Sequence, residues 1–360
     1  MNNVTAASAA PTVTLVLPNY NHAHYLPESL GSIAAQTRPP DRVLIIDDSS
    51  IDDSIGVISR FLSDHPNWEL IRHQTNQGVV RGQNEALAVA DTEWIGFLGA
   101  DDALHPTYLD KALASAARYP DAGLICACCE IIGPSGPLAG RMLRPKMLPA
   151  AISTMLKPDD VRRILRAGDN YFSGTVSLYR RSALQALGGF DVKLGSFSDA
   201  FLARRLALTY GFYFVAEILG YWRIHGQNYS TITATDPAAL EAKLAEVGAL
   251  IAQSDLFPPG YDTLFARRAR FGASRMVLGG DTPAATQAAL AAKLLAAGAA
   301  DARLLQLLLS LGRPGQLAAL AWTTLRTHPM SLTRLLRQTR ARHAIVAATP
   351  AYRAPAHPAP

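Results

Sequence analysis

The chain has 360 residues, 49% of them hydrophobic, and a net charge of +5 from 34 Lys and Arg against 29 Asp and Glu. That length and apolar content allow one large buried core plus an accessory part, and a charge so small and dispersed excludes a nucleic-acid footprint. No stretch of about 18 uninterrupted apolar residues occurs; Asp301 and Arg303 interrupt the best candidate.

Residues 1–11 lack the basic and apolar regions of a secretory signal and read as a flexible N-terminus. From residue 12 onward, short β-rich runs (13–17, 43–46, 69–72, 94–98 and 123–131) alternate with helical patterns (27–35, 54–62, 82–90 and 106–118). Repeated βα units predict an α/β fold with a doubly wound, mainly parallel sheet. Cys126, Cys128 and Cys129 crowd into the last of these runs, with no second ligand pair at zinc spacing. They read as reduced core thiols and point to a reducing, cytoplasmic compartment. The Pro- and Gly-rich stretch 133–158 reads as a long loop crossing to another half of the domain. Beyond 236 the composition turns to Ala and Leu, which predicts a helical C-terminal region over 236–346, and the Ala- and Pro-rich residues 347–360 read as a disordered tail.

In open α/β sheets, ligands bind beyond the carboxyl ends of the strands, and three strands here end in ligand-type residues. The first runs into Leu17-Pro18-Asn19-Tyr20-Asn21, which places Asn19 and Tyr20 at the crevice; a Pro-Asn turn with a surface Tyr is the plainer alternative. The second ends Ile46-Asp47-Asp48-Ser49-Ser50. Helix capping accounts for one or two of those four polar residues, not all of them. The fourth ends Phe97-Leu98-Gly99-Ala100-Asp101-Asp102, where adjacent carboxylates repel unless water or a hard cation such as Mg²⁺ or Mn²⁺ offsets them. A diphosphate ligand with a bridging metal would use all three strand ends.

Together with Gln36-Thr37, Asn76-Gln77-Gly78, Asn84, Gly188-Gly189-Phe190-Asp191, Ser198-Asp199 and His225, in this order over about 12–230, these landmarks resemble the family-2 inverting glycosyltransferases. The resemblance implies a GT-A fold over 12–235, a doubly wound and mostly parallel (mixed) sheet flanked by helices, with the α-helical C-terminal region behind it. It also implies a nucleotide-sugar donor (a UDP-sugar first), a glycan or lipid-linked acceptor in bacterial cell-surface polysaccharide synthesis, and Mg²⁺ or Mn²⁺ as cofactor. By the same resemblance Pro18, Asn19 and Tyr20 belong to the donor site, with Asn19 and Tyr20 flanking base and ribose. Asp48 would hydrogen-bond the base, Arg81 would contact the nucleotide, and Asp101 would face the ribose or metal. Asp102 would be the main metal ligand, with His225 near it, and Asp199 the catalytic base. Two positions depart from the common pattern: Gly99 stands where many members carry another Asp, and Ser198 where many carry Glu.

Asp199 also has a plain reading as a helix N-cap, and the two roles are compatible. There is no Gly-x-Gly-x-x-Gly after the first strand and no Gly-rich loop ending in Lys-Ser or Lys-Thr, so metal rather than a phosphate loop is expected at the diphosphate. Another nucleotide-sugar enzyme, such as a nucleotidyltransferase, would carry an early Gly-rich loop; a degenerate glycan-binding module would not need Asp48, Asp102 and Asp199 together. In 331–343, Leu332, Leu335, Leu336 and Thr339 share one helical face and Arg334, Arg337 and Arg340 another. That arrangement suits either peripheral contact with the inner face of the plasma membrane or packing on the catalytic domain with a solvated basic edge.

Overall fold

The computed structural model describes residues 10–167, 172–225, 228, 236–278, 284–295, 298–327 and 332–352. The first half alternates β1 (Val13–Asn19), α1 (Leu26–Ala34), β2 (Arg42–Asp47), α2 (Ser54–Asp64), β3 (Trp68–Arg72), α3 (Val79–Val89), β4 (Trp94–Phe97), β5 (Ala103–Leu104), α4 (Tyr108–Arg118) and β6 (Leu124–Gly133). Then come β7 (Gly136–Arg144), β8 (Thr154–Leu156), α5 (Pro158–Ala167), β9 (Ser177–Arg180), α6 (Arg181–Ala186), α7 (Ser198–Tyr210) and β10 (Phe212–Arg223). The C-terminal region is helical: α8 (Pro237–Ala252), α9 (Tyr261–Leu278), α10 (Ala284–Leu294), α11 (Ala299–Ser310), α12 (Gly312–Thr327) and α13 (Leu332–Ala348).

The strands order as β3-β2-β1-β4-β9-β6-β10-β5, with β7 on β6 and β8 on β10. Pairing is parallel from β3 through β4 and between β6 and β10, while β9 runs antiparallel between β4 and β6. The sheet is therefore mixed and mostly parallel, as the βα alternation predicts. Its consequence is positional. The C-terminal ends of β1, β2, β3, β4, β6 and β10 and the start of β9 all meet at one edge, where ligands of open α/β sheets bind.

Both faces are covered, with α1, α2 and α4 on one side and α3, α5, α7 and the C-terminal helices on the other. That is why β6 reads as a continuous apolar run rather than an alternating one: all ten of its residues are buried. Cys126 and Cys128 point into one core and Cys129 into the other, and burial pushes all three thiols well above their ordinary range. None of the three forms a disulfide.

The stretch 133–158 is not one long loop. Gly133 and Gly136 close a β6–β7 hairpin, with Gly136 at a φ of 125° that favours glycine, and β8 adds to the edge of β10. The turn residues mark a tight reversal rather than irregular chain. The tail expected from 347 also begins later. Helix α13 continues to Ala348, and Tyr352 is buried, its ring 4.2 Å from that of Tyr221 and its hydroxyl donating to Glu28. Residues 1–9, 229–235 and 353–360 lie outside the described residues.

Of the two readings for 331–343, the structure presents packing. Gln338 bonds both the N and O of Leu148, and the Arg342 guanidinium donates to the carbonyls of Leu143, Pro145 and Lys146. Among the described residues, no helix is long and apolar enough to cross a membrane.

Candidate active site

At the β1–β2 end the sequence motif is consumed mostly by the fold. Strand β1 runs two residues further than its apolar pattern, so Asn19 is its last residue and only 2% exposed. Its amide donates to Asp47 Oδ1 at 2.8 Å and Ser50 Oγ at 3.1 Å, and Asp47 also accepts from Ser50 N. Asp47 is thus the structural acceptor behind Asp48, and Asn19 joins the two strand ends instead of facing the crevice. Pro18 is half-buried beside it, whereas Tyr20, 45% exposed, is the aromatic ring of this motif that stands free at the mouth.

Asp48 is buried, and its carboxylate accepts from Gln77 N and Gly78 N, both at 2.8 Å, at the start of α3. Burial raises its pKa, but these bonds and that from His73 outweigh burial and hold the carboxyl below its usual value. Arg81 lies exposed in the first turn of the same helix. His73 was not singled out by spacing, yet it follows β3 at the same sheet edge. Its Nδ1 meets Asp48 at 2.7 Å and its Nε2 meets Glu85 at 2.8 Å. Burial lowers the imidazole's pKa, and the two carboxylate bonds more than reverse this, leaving it raised. A raised histidine stabilises the fold fully below its unfolded value of about 6.5 and loses that contribution as pH rises through the folded value. The stability deficit of His73→Gln relative to wild type should accordingly be larger at pH 6 than at pH 9 in urea titrations; an equal deficit at both would contradict the ion-paired histidine.

The neighbouring acids after β4 take opposite roles. Asp102 is 5% exposed, its Oδ1 accepting from Arg223 N at 2.9 Å and its Oδ2 from Thr175 Oγ1 at 2.7 Å. Burial first, and then the charge of Asp101, push its carboxyl upward. Expected as the main metal ligand, it has both oxygens engaged by protein donors. Asp101 is the more open of the two: its Oδ2 accepts from His225 Nε2 and Asn228 Nδ2, both at 2.9 Å. Gly99 explains how this fits. A Cβ there would stand 2.7 Å from Asp101 Oδ1, so the missing Asp of the common motif gives space to the carboxylate that remains.

Arg223, the last residue of β10, organises this loop. It is 1% exposed, and its guanidinium donates to the carbonyls of Asp101, Gly133 and Pro134 and to Glu28, while lying 4.9 Å from the Tyr25 ring. The Tyr25 ring in turn stacks on His225 at 5.3 Å. The available signal was a charged residue closing the aromatic run Tyr221-Trp222-Arg223. For Thr175 no sequence signal exists.

Asp199 is the second residue of α7 rather than its N-cap, and its Oδ1 accepts from Ala200 N at 2.6 Å. Burial pushes its carboxyl above the ordinary range, more than the Ala200 bond and the Arg204 charge draw it down. The other oxygen faces Gly174, where a Cβ would come to 3.2 Å. Gly174 and Thr175 lie in one 3₁₀ turn before β9. Consecutive residues of a single turn therefore face Asp199 and Asp102, which brings together three segments far apart in sequence: 99–102, 174–175 and 198–199.

Asp101 and His225 could hold a divalent cation between them. Among the described residues no group of three or more His, Cys, Asp and Glu side chains gathers as a metal cage. Hard cations that dehydrate reluctantly are commonly held by one or two protein groups, waters and substrate phosphates, so an open pair of ligands fits this class of ion.

Comparison with known proteins agrees with this geometry. The family model described as glycosyl transferase family 2 matches residues 14–188. An uncharacterized glycosyltransferase of Nostoc is 28% identical over 64% of this chain and 70% of its own length. A PGL/p-HBAD biosynthesis glycosyltransferase of Mycobacterium bovis is 34% identical over 27% of this chain and 38% of its own. Two solved structures share the fold. A mannosyltransferase from Pyrobaculum calidifontis in complex with GDP-Man and Mn²⁺ has TM-score 0.56 and 21% identity, over 94% of this chain and 88% of that one. S. aureus TarS 1–349 in complex with UDP-GlcNAc has TM-score 0.57 and 17% identity, over 88% and 91%. The family match over residues 14–188 makes that part of the chain a family-2 glycosyltransferase domain, and its mixed sheet has the GT-A fold of the two solved structures.

Proposed function

We propose that the chain transfers a sugar, with inversion, from a nucleoside-diphosphate sugar (a UDP-sugar first) to a hydroxyl of a glycan or lipid-linked acceptor. The observation that carries this reading is the division of labour at the sheet edge: a half-buried carboxylate, Asp101, beside His225, and a second half-buried carboxylate, Asp199, across the Gly174–Thr175 turn. Asp101 replaces Asp102 as the proposed principal metal ligand, with His225 beside it, because both Asp102 oxygens already accept bonds. Tyr20 and Arg81 are the exposed groups on the donor side, and Asp48 shapes the start of α3 from beneath; Pro18 and Asn19 fix the end of β1.

In the proposed reaction the acceptor oxygen forms a bond to the anomeric carbon as the bond from that carbon to the diphosphate oxygen breaks. The acceptor proton passes to the free oxygen of Asp199, and the nucleoside diphosphate departs. Bound Mg²⁺ or Mn²⁺ supplies positive charge that stabilises the anion developing on the leaving group. Asp101→Asn should abolish the increase in melting temperature that nucleoside diphosphates give with Mn²⁺, whereas Asp102→Ala should lower the melting temperature of the unliganded protein by stranding the Arg223 N–H and the Thr175 hydroxyl. Nucleotide-dependent stabilisation that survives intact in Asp101→Asn would remove Asp101 from the metal site. A screen in which no nucleoside diphosphate or its sugar stabilises the wild type with either metal would overturn the whole reading.

A further inference from the structure

A second charged feature lies on the β7 side of the sheet, and none of the donor-site roles uses it. Arg144 ends β7, Lys146 follows two residues later, Arg342 of α13 donates to the carbonyls of Leu143, Pro145 and Lys146, and Arg275 of α9 lies within electrostatic reach of Arg144 and Lys146. The first three are half-buried and Arg275 is exposed. Burial, reinforced by Arg144 and Arg275, draws the Lys146 ammonium down to about 7, and burial also lowers Arg144, Arg275 and Arg342. Among the described residues no carboxylate pairs with any of the four. Arg342 is anchored by three backbone carbonyls, which hold its charge in place without neutralising it.

Four like charges held this close without an acid are an unusual arrangement, since cations packed together normally find a counter-charge. A second observation concerns Arg144. Its guanidinium lies 4.5 Å from the Trp222 ring centre, and its Nε is buried with no hydrogen-bond partner among the described residues. A buried donor without an acceptor costs free energy that a ligand oxygen would recover.

The cluster is close to the reaction centre through a short chain of contacts. Arg144 pairs with Cys129 across the β6–β7 ladder, and Cys129 Sγ lies 3.0 Å from Ser173 Oγ. The next two residues, Gly174 and Thr175, are those that face Asp199 and Asp102. A cavity of about 470 Å³ opens on the other flank, between Met147–Ala151 and the α13 residues Arg337, Gln338 and Ala341.

We propose that Arg144, Lys146, Arg275 and Arg342 form an anion site that binds a phosphate or pyrophosphate group carried by the acceptor. A phosphate group carries close to two charges and several acceptor oxygens. Guanidinium forks grip such a group bidentately, and the lysine adds a point charge. A single carboxylate would leave most of the positive charge uncompensated. Assigning the anion to the acceptor rests on the transferase reading; the binding itself does not.

The test uses the full chain with inorganic pyrophosphate in EDTA, without nucleotide or metal, read by calorimetry. Wild type should bind, and Lys146→Gln/Arg275→Gln should bind about tenfold more weakly or worse, since charge-assisted hydrogen bonds are lost. The unliganded double variant should melt at the same temperature as wild type or higher, because removing like charges relieves repulsion. Asp101→Asn should bind pyrophosphate as wild type does. Unchanged binding in the double variant, or binding lost in Asp101→Asn instead, overturns the proposal. Flotation with phosphatidylcholine vesicles containing phosphatidic acid separates the sources. Flotation that pyrophosphate abolishes assigns a lipid headgroup, and pyrophosphate binding without flotation assigns a soluble phosphate. Failure to bind either overturns it.

Discussion

Replacing Asp199 by Asn should lower kcat for sugar transfer by about 10²–10⁴-fold, the usual contribution of a positioned general base, while donor binding and fold survive. The electrostatics make the outcome discriminating. The folded-state pKa of Asp199 is raised, chiefly by burial. For a carboxyl shifted in that direction the favourable contribution to stability exists below the unfolded value of about 3.9 and is lost as pH rises through the folded value. At neutral pH the ionised side chain is thus a liability, and Asp199→Asn should unfold at the wild-type temperature or slightly above it. Falling activity with unchanged or improved stability is the signature of a chemical role; a helix-capping role alone would instead lower stability. The same shift places the acid limb of the wild-type kcat/KM profile above the ordinary carboxylate range. Wild-type turnover in Asp199→Asn would eliminate the proposed base.

How much of this was legible in the sequence depends on which interaction carries each feature. The βα alternation survives translation because the central strands β1, β2, β4 and β6 are buried on both faces and the helices on one, so local hydrophobic pattern and tertiary environment agree. The three polar strand ends were visible for the same reason: they interrupt apolar runs at a predictable edge. Assigning roles within them was harder. Asp101 and Asp102 are adjacent and chemically identical, and only Arg223 N and Thr175 Oγ1, from segments 121 and 73 residues away, decide which of them turns inward. Asn19 was misplaced because β1 extends through Pro18, which keeps its strand conformation at the end of the sheet. The β7 hairpin was hidden by turn residues that also mark loops, and the docking of Tyr352 depends on Glu28, 324 residues earlier in the chain.

Arg223 carries the largest expected effect on stability, because the loop that presents the acids is tied to the sheet through its guanidinium. Arg223→Met keeps the stem and removes the fork, leaving the carbonyls of Gly133 and Pro134 without the guanidinium donor and the Glu28 carboxylate without its counter-charge. Removing one partner from a buried ion pair costs about 3–5 kcal/mol, mostly as the penalty of the abandoned charge. That penalty falls on Glu28, which also accepts from Tyr352. A double-mutant cycle separates the pair from its surroundings: Glu28→Gln removes the stranded charge, so Arg223→Met/Glu28→Gln should be more stable than the sum of the single losses implies. Tyr352→Phe alone should cost far less, because Arg223 still pairs with Glu28. Arg223→Lys should recover only part of the loss, since one ammonium cannot reach the carbonyls of Asp101 and Gly133 and the Glu28 carboxylate at once. Donor binding should weaken in Arg223→Met even at temperatures where the protein remains folded, as the Asp101 carbonyl loses its tie to Nε. An unfolding midpoint for Arg223→Met equal to that of wild type would show that the acidic loop is held by something other than this arginine.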